Sequence, residues 1–177
     1  LSVADGKIIT DKSLCNLCGV CVTACESDAR GLNGETMSAK DIMDIVVKDK
    51  DYYRKSGGGI TLSGGEPLLQ PDGATELLEL SRSNDISTTV ETALNVNSDV
   101  LYKVLPLTDC FICDIKALDE KLHKELTGAS NKQILKNIEI ISRFPCIADI
   151  NTIIDSKLFL QTGRCKVRIF RGVELSG

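Results

Sequence analysis

Four cysteines stand within eleven residues near the start of the chain, with the spacing Cys15-x2-Cys18-x2-Cys21-x3-Cys25. A short loop with this spacing can wrap its thiolates around a cubane [4Fe-4S] cluster. Zinc sites more often gather their ligands as two separated pairs, and a disulfide knot is the third arrangement open to clustered cysteines. The pattern therefore favours an iron-sulfur cluster, with zinc and disulfides as the alternatives.

The residue after the fourth cysteine leaves the ligand set of this cluster open. The bacterial ferredoxin run ends in Cys-Pro, whereas Glu26 follows Cys25 here. In two-cluster ferredoxins the fourth cysteine of such a run binds the other cluster. Residues 1–35 are too few to bury a core without a metal, so we expect them to form a small ferredoxin-like unit built around its cluster.

The composition excludes several classes of partner. The 177 residues carry a net charge of -4 at pH 7 and only 4% aromatic side chains. They therefore offer no basic face for phosphates and few platforms on which bases could stack, so we expect no nucleic acid. We also find no apolar run of membrane-spanning length and no signal-peptide pattern, so we expect a protein of the reducing cytoplasm without a membrane partner.

From residue 36 onwards, strand and helix patterns alternate. Ser38 and Asp41 have the spacing of a capping box, and the helix that they begin is expected to end before Gly57. The elements predicted after it are a strand over 60–63, a helix over 72–83, a strand over 86–91, a helix over 98–105, a strand over 111–116, a helical stretch from Asp119 and a helix over 131–143. This repetition indicates an α/β fold with a parallel sheet.

The length of this second region, 36–177, limits the architecture. A closed eight-fold barrel usually needs about 250 residues. The region has room for only three or four strand-helix units, so we expect a partial (β/α) barrel of parallel strands. Its ligand chemistry is expected at the carboxyl ends of the strands. The sequence after about residue 145 matches no pattern, and its fold is left unassigned.

Three of the predicted strands end in residues suited to a polar ligand. The first runs into Ser63-Gly64-Gly65-Glu66, where a ligand can approach the glycine backbone and Glu66 can accept a hydrogen bond from an ammonium group. A plain turn is the alternative for this segment. The second strand ends at Glu91-Thr92. The third ends at Asp114-Ile115-Lys116, whose two charged residues share a face, and a mutual salt bridge is the alternative there.

Taken together, these motifs closely resemble the activating enzymes of glycyl radical enzymes, such as the pyruvate formate-lyase activating enzyme family, within the radical S-adenosylmethionine superfamily. The resemblance covers about residues 10 to 143 and is carried by 56–70, Val90-Glu91-Thr92, Asp114-Ile115-Lys116 and His123–Gly128. It implies an oxidoreductase in which a reduced [4Fe-4S] cluster cleaves S-adenosylmethionine to methionine and a 5′-deoxyadenosyl radical. The radical would take a hydrogen atom from a glycine of a partner glycyl radical enzyme, and reduced flavodoxin or ferredoxin would donate the electron.

The resemblance also implies roles for the strand ends. In the family the Gly-Gly-Glu segment binds the methionyl amino group of S-adenosylmethionine, which maps onto Gly64-Gly65-Glu66. The Asp-x-Lys segment contacts the methionyl carboxylate region and maps onto Asp114-Ile115-Lys116. Pyruvate formate-lyase activating enzyme also holds a monovalent cation beside that carboxylate, and the matching oxygen donors here would be Glu91, Thr92 and Asp114.

This sequence departs from the family pattern in one respect, the cysteine motif that holds the family's catalytic cluster. That motif is Cys-x3-Cys-x2-Cys, and no triplet of this chain has that order. Many members carry an inserted two-cluster ferredoxin-like domain, and the run from Cys15 to Cys25 resembles the second of its two motifs. By that resemblance Cys25 would bind one cluster and the other three cysteines would bind its neighbour.

Because the motif is missing, we expect the catalytic cysteines upstream of Leu1, and we expect a truncated chain that is inactive alone. A ferredoxin-type electron-transfer module fused to a non-catalytic α/β domain is the alternative. The only histidine of the chain, His123, is expected to lie on a helix surface without a ligand role.

Overall fold

The computed structural model describes residues 1–32, 34–144, 149–153 and 166–170, the last two ranges as backbone alone. The chain divides into two compact units, Leu1–Met37 and Ser38–Gly177. Within the described ranges no helix is both long and apolar enough to cross a membrane.

The first unit consists of a hairpin, a loop and one helical turn. Strands β1 (Ser2–Ala4) and β2 (Lys7–Ile9) pair in antiparallel fashion. Asp5 and Gly6 connect them with φ angles of 51° and 71°, the positive values that a tight hairpin turn requires. Helix α1 (Val20–Thr23) lies within the cysteine run, since it contains Cys21 and precedes Cys25. No residue of this unit whose burial is described is buried, so the unit has no apolar core of its own.

Helix α2 (Ala39–Val46) opens the second unit with the predicted capping box. The Asp41 backbone N–H donates to Ser38 Oγ at 3.1 Å, and the Ser38 N–H donates to the Asp41 carboxylate at 3.3 Å. A single 3₁₀ turn (Val47–Asp49) leads into α3 (Lys50–Ser56). Gly57 ends α3 in the left-handed conformation, with φ of 68°, so the predicted end of this helical stretch is confirmed.

A five-stranded parallel sheet follows, with its strands in sequence order. The strands are β3 (Gly59–Leu62), β4 (Ser87–Thr92), β5 (Cys110–Asp114), β6 (Asp149–Ile153) and β7 (Lys166–Phe170). The helices are α4 (Pro71–Ser83), α5 (Ser98–Val104), α6 (Glu120–Thr127) and α7 (Lys132–Ser142). The α/β class and the parallel sheet are confirmed, whereas the partial barrel stays a prediction.

The region after about residue 145, which we left unassigned from the sequence, contains two of these strands. Strand β6 pairs with β5 from Cys110 opposite Asp149 to Asp114 opposite Ile153, and β7 pairs with β6 along its whole length. The apolar residues of β7 alternate with basic ones, which is a period-2 signal for a strand with one apolar face. The sheet therefore extends beyond the point where our prediction ended, while 145–148, 154–165 and 171–177 lie outside the described residues.

One face of the sheet is buried and the other is open. Val90 of β4 and Phe111 of β5 are fully buried in one cluster with Leu78, Leu101 and Ile141 from the helices. The alternate residues of the strands are more exposed: Thr61 and Glu91 are exposed, and Thr89, Ile112 and Asp114 are half-buried. The helices therefore cover one face, and the open face leads to the carboxyl edge of the strands.

The start of β3 requires glycine because two backbones approach each other closely. A Cβ on Gly59 would lie 1.9 Å from the Ser87 carbonyl oxygen, which is far inside contact distance. Gly59 and Ser87 are also register partners in the parallel pair β3 and β4. The glycine thus lets β3 align with β4 so that their carboxyl ends fall side by side.

Candidate functional site

The carboxyl ends of β3, β4 and β5 lie next to one another. Leu62 pairs with Val90, and Thr92 pairs with Cys113, so β4 ends two residues beyond the level of β3, and β5 ends one residue beyond the level of β4. The segments that leave these ends are 63–66, 92–94 and 114–116. The structure therefore brings the three predicted strand-end motifs to one edge of the sheet.

The backbone at Gly64 and Gly65 faces open space. Gly64 has a φ of 120°, which side-chain-bearing residues rarely adopt. No heavy atom lies within 4 Å of where a Cβ would stand on either glycine. A ligand can therefore reach the carbonyl and N–H groups of this turn without displacing a side chain.

The Glu66 carboxylate is engaged by the protein itself. Its Oε1 accepts hydrogen bonds from Thr92 Oγ1 at 2.8 Å and from the Leu68 N–H at 3.1 Å. Its Oε2 accepts one from the Ala93 N–H at 2.9 Å. Three of the roughly four lone-pair positions of a carboxylate are thus filled. Glu66 ties the turn after β3 to the end of β4, and one position on Oε2 is left for a ligand.

Glu91 and Thr92 point to opposite sides of the sheet. Glu91 is exposed on the open face, where its carboxylate accepts a hydrogen bond of 2.9 Å from the Ser63 hydroxyl. Thr92 is buried, and its hydroxyl donates to Glu66 and accepts from the Leu94 N–H at 2.9 Å. The Thr92 side chain therefore points away from Glu91 and Asp114, which share the open face, and the cation site stays a prediction.

Asp114 and Lys116 form the ion pair that was the alternative for this strand end. The Lys116 ammonium donates to Asp114 Oδ2. Asp114 Oδ1 is buried and has no hydrogen-bond partner among the described residues. A buried carboxylate oxygen without a partner is costly, so this atom marks a place where a donor or an ion would stabilise the site.

Ile115, which the resemblance included among the cofactor contacts, lies between these two charged residues in the sequence. Only 2% of its surface is exposed, and it belongs to the core cluster. Alternation along the strand direction turns its side chain away from Asp114 and Lys116. Any contact of Ile115 with a ligand would therefore be made by its backbone.

In the first unit, the four cysteines of the N-terminal run line one cavity of about 1040 Å³. Each has a free thiol, so none forms a disulfide. The loop between the first two winds through a left-handed residue, Leu17, with φ of 57°, and Gly19 follows with φ of 77°. These two conformations curve the backbone so that Cys15, Cys18 and Cys21 lie around the same space.

The donor chemistry of this loop fits an iron-sulfur cluster. A hydrogen bond from the Ser27 hydroxyl, 3.6 Å from the sulfur, lowers the pKa of the Cys25 thiol, and the backbone at Ala29 adds to the effect. The thiolate is the form that binds metal. No three Cys, His, Asp or Glu side chains in the described ranges are already arranged to hold an ion. The four thiols share a cavity, and such ligand sets close when the metal binds.

The predicted surface position of His123 is wrong, whereas its lack of a ligand role stays a prediction. Its side chain is 3% exposed, and Nδ1 donates to the Ala129 carbonyl at 2.9 Å, with Thr127 Oγ1 at 3.1 Å. Helix α6 instead leaves Leu122 and Leu126 on its exposed side. The sequence analysis missed that the imidazole holds the turn after the helix through its hydrogen bond to Ala129.

A comparison with protein families and curated proteins gives a consistent result. The family model described as the Radical SAM superfamily matches residues 14–154, which include the cysteine run and β6. The (2S)-3-sulfopropanediol dehydratase activating enzyme of Klebsiella oxytoca is 42% identical over 160 residues, covering 85% of this chain and 50% of that protein. The indoleacetate decarboxylase activating enzyme of Tractidigestivibacter scatoligenes is 38% identical over 138 residues, covering 77% and 44%. The chain spans about half the length of these relatives.

Solved structures share the fold. A domain of pyruvate-formate lyase-activating enzyme from Bacteroides vulgatus aligns with a TM-score of 0.50 at 28% identity, covering 55% of this chain and 60% of that one. Streptococcus suis SuiB bound to its precursor peptide SuiA aligns with a TM-score of 0.55 at 20% identity, covering 73% and 29%. At that identity the second match shows the fold alone.

Proposed function

The chain belongs to the radical SAM superfamily, and we propose from this premise that it is part of an activating enzyme for a glycyl radical enzyme. The reaction would be the reductive cleavage of S-adenosylmethionine, followed by removal of a hydrogen atom from a glycine of the partner protein. The matched relatives carry the names of activating enzymes for several different partners. We therefore propose the partner only as a class, a glycyl radical enzyme.

The observation that carries this proposal is the edge where β3, β4 and β5 end. Three strands bring an open glycine turn, the carboxylates of Glu66 and Asp114, and the Lys116 ammonium to one side of the sheet. The methionyl end of S-adenosylmethionine carries one ammonium and one carboxylate group. An edge that presents carbonyls, carboxylates and one ammonium is complementary to both groups.

Each charged residue at this edge has a distinct part in ligand binding under the proposal. The Gly64 and Gly65 carbonyls and the unused position on Glu66 Oε2 would accept from the ligand ammonium. Asp114 Oδ1, which is buried and unpartnered in the described part of the chain, would accept another of its hydrogens. The Lys116 side chain is 58% exposed, and its ammonium would then donate hydrogen bonds both to Asp114 and to the ligand carboxylate.

The first unit would hold an auxiliary cluster. Cys15, Cys18 and Cys21 would be its ligands, and Cys25 would bind either the same cluster or, as the family resemblance implies, a neighbouring one. The four cysteines share one cavity, and each has a free thiol. A bound [4Fe-4S] cluster of this kind supplies low-potential electrons. Because the chain contains no Cys-x3-Cys-x2-Cys motif, we further propose that the catalytic cluster is bound by cysteines of a longer polypeptide.

The test is anaerobic reconstitution of the 177-residue chain with iron and sulfide, followed by reduction and addition of S-adenosylmethionine. We expect cluster binding and no 5′-deoxyadenosine, and we expect cleavage from a polypeptide extended upstream to include the missing motif. Deoxyadenosine from the chain as given would mean that Cys15, Cys18 and Cys21 hold the catalytic cluster. Cluster binding by the extended polypeptide, without affinity for S-adenosylmethionine, would instead favour a ferredoxin-type electron-transfer module.

A further inference from the structure

Asn137 is a fully buried amide in the middle of helix α7, with none of its surface exposed. Its Nδ2 donates to the carbonyls of Leu94 at 2.9 Å and Val96 at 2.8 Å. Its Oδ1 accepts from Ser98 Oγ at 2.9 Å and from Gln133 Nε2 at 3.2 Å. Both donors and both acceptor positions of the amide are thus used, which is what its burial requires.

The backbone that Asn137 holds is strained. Leu94 has a φ of 57°, although leucine has no local hydrogen bond to favour the left-handed conformation. Such a conformation persists where the surrounding structure fixes it. Here Leu94 is fully buried, and its carbonyl is bound by Asn137. The turn after β4 therefore depends on a side chain that lies about forty positions further along the chain.

The same turn positions the Glu66 carboxylate. The Leu94 N–H donates to Thr92 Oγ1, whose hydroxyl donates to Glu66 Oε1 at 2.8 Å. The Ala93 N–H, one residue before Leu94, donates to Glu66 Oε2 at 2.9 Å. Hydrogen bonds on the two sides of Leu94, joined by the backbone of that residue, thus connect the buried amide of α7 to the carboxylate beside the open glycine turn.

We propose that Asn137 is a positioning residue for the ligand edge. By fixing the carbonyls of Leu94 and Val96, it sets the Thr92 hydroxyl and the Ala93 N–H that orient Glu66. Glu66 in turn fixes the Gly64-Gly65 turn that takes the ligand ammonium. The last step rests on the proposed function, whereas the positioning of Glu66 stands on the hydrogen bonds alone.

The chain offers a matched control in a second buried asparagine of the same segment. Asn131 is 1% exposed, and its Nδ2 also donates to two loop carbonyls, those of Ala117 at 3.1 Å and Leu118 at 2.7 Å. These carbonyls belong to the loop after β5, and neither residue bonds to Glu66 in the described structure. Asn131→Ala therefore removes the same chemistry without touching the series of bonds to Glu66.

The first measurement is amide hydrogen exchange, read residue by residue by NMR on the 177-residue chain. In Asn137→Ala we expect the Ala93 and Leu94 amides to exchange about tenfold faster than the change in global stability accounts for. In Asn131→Ala we expect the exchange rates of these two amides to change only as much as the change in global stability predicts. Equal behaviour of Ala93 and Leu94 in the two variants would overturn the proposal.

The second measurement is a titration with S-adenosylmethionine, followed through the Gly64 and Gly65 amide shifts. We expect the dissociation constant of Asn137→Ala to rise about tenfold, a readout of ligand contact that a purely structural role would not change. Ile141→Ala removes core packing from the same helix and serves as the control. We expect its dissociation constant to stay within about twofold of that of the starting chain. An unchanged constant in Asn137→Ala would overturn the ligand step.

The two measurements separate this inference from the proposed function. If the starting chain shows no shift at Gly64 or Gly65, the assigned ligand is wrong, and the exchange of Ala93 still decides the positioning of Glu66. If Asn137→Ala does not fold, Ser98→Ala is the milder variant: it removes one of the two bonds to Asn137 Oδ1, together with the bond that Ser98 accepts from Gln133. In Ser98→Ala we expect the exchange rates of the Ala93 and Leu94 amides and the dissociation constant for S-adenosylmethionine each to rise about threefold. No change in either quantity would contradict the proposal.

Discussion

The Ser63 hydroxyl donates a hydrogen bond of 2.9 Å to the Glu91 carboxylate and so joins the ends of β3 and β4 on the open face of the sheet. On the buried side, the bond from Thr92 to Glu66 joins the same two strand ends. The turn that carries Gly64 and Gly65 is thus held from both faces. Its open backbone is fixed before any ligand arrives, which lowers the entropy lost on binding.

Glu91 gives a test of the predicted monovalent cation. If a cation lies between Glu91 and Asp114, the affinity for S-adenosylmethionine should depend on potassium in the starting chain and lose that dependence in Glu91→Gln. Ser63→Ala keeps the charge of Glu91, so it should retain the dependence. Titrations in potassium and in tetramethylammonium chloride at equal ionic strength make the comparison. Potassium dependence that survives in Glu91→Gln would exclude Glu91 as a ligand.

Replacing Glu66 should destabilise the second unit. Glu66→Ala leaves the Thr92 hydroxyl and the N–H groups of Leu68 and Ala93 without their acceptor, so we expect a loss of about 2 to 3 kcal/mol in the free energy of unfolding. Urea denaturation measures it. Glu76→Ala, at an exposed position of α4, should change stability by less than about 0.5 kcal/mol and serves as the control. Equal stability of the two variants would show that the bonds to Glu66 contribute little.

Asp114 and Lys116 are expected to serve the ligand as well as each other. Asp114→Asn and Lys116→Ala should each weaken S-adenosylmethionine binding by about 1.5 to 3 kcal/mol, the range of charge-assisted hydrogen bonds. Calorimetric titration of the two single variants and the double variant measures the effect. Unchanged affinity in all three variants would mean that Asp114 and Lys116 interact only with each other. Such an ion pair contributes less than about 1 kcal/mol to stability at this exposure.

The cysteine loop should take up iron and sulfide and absorb broadly in the visible range. Alanine at Cys15, Cys18 or Cys21 should abolish the absorbance, while Cys25→Ala should reduce it less if its partner cluster is absent. Cys110→Ala, on β5, is the control and should retain it. Stoichiometric zinc without iron uptake would rule out the cluster.

His123 should matter for stability rather than chemistry. His123→Ala removes a buried ring and the shorter of two hydrogen bonds to the Ala129 carbonyl, leaving the one from Thr127 Oγ1 at 3.3 Å, so we expect a loss of about 2 kcal/mol in the free energy of unfolding. Lys121→Ala, exposed on the same helix, should be nearly neutral. Thermal unfolding compares the two, and a neutral His123→Ala would contradict the structural role given to its hydrogen bonds.

Much of the second unit could be predicted because its signals are local. The Ser38 and Asp41 capping box, the left-handed Gly57 and the strand-helix alternation each depend on a few neighbouring residues. The juxtaposition of the three strand ends followed from the parallel arrangement of the strands.

Other features could not be predicted from the sequence because they depend on residues that are distant along the chain. Nothing near Glu66 in the sequence indicates that Thr92 and Ala93 would fill its oxygens, and nothing near Asn137 indicates Leu94. His123 was misplaced because the burial of a polar ring depends on a carbonyl six residues later. Strand β7 carries a period-2 signal that our prediction did not use, whereas β6 is short and partly polar and gave no such signal.

No residue is buried in the described part of the first unit, so we expect the two units to respond differently to oxygen. Thiolate-bound iron is lost on oxidation, and without it the segment from Leu1 to Met37 has little to resist opening. Proteases act on segments that open locally, whereas the sheet and its buried helices open only with global unfolding. In air we therefore expect the cysteine-bearing unit to be cleaved first, so that the proposed cluster would be lost well before the proposed ligand edge.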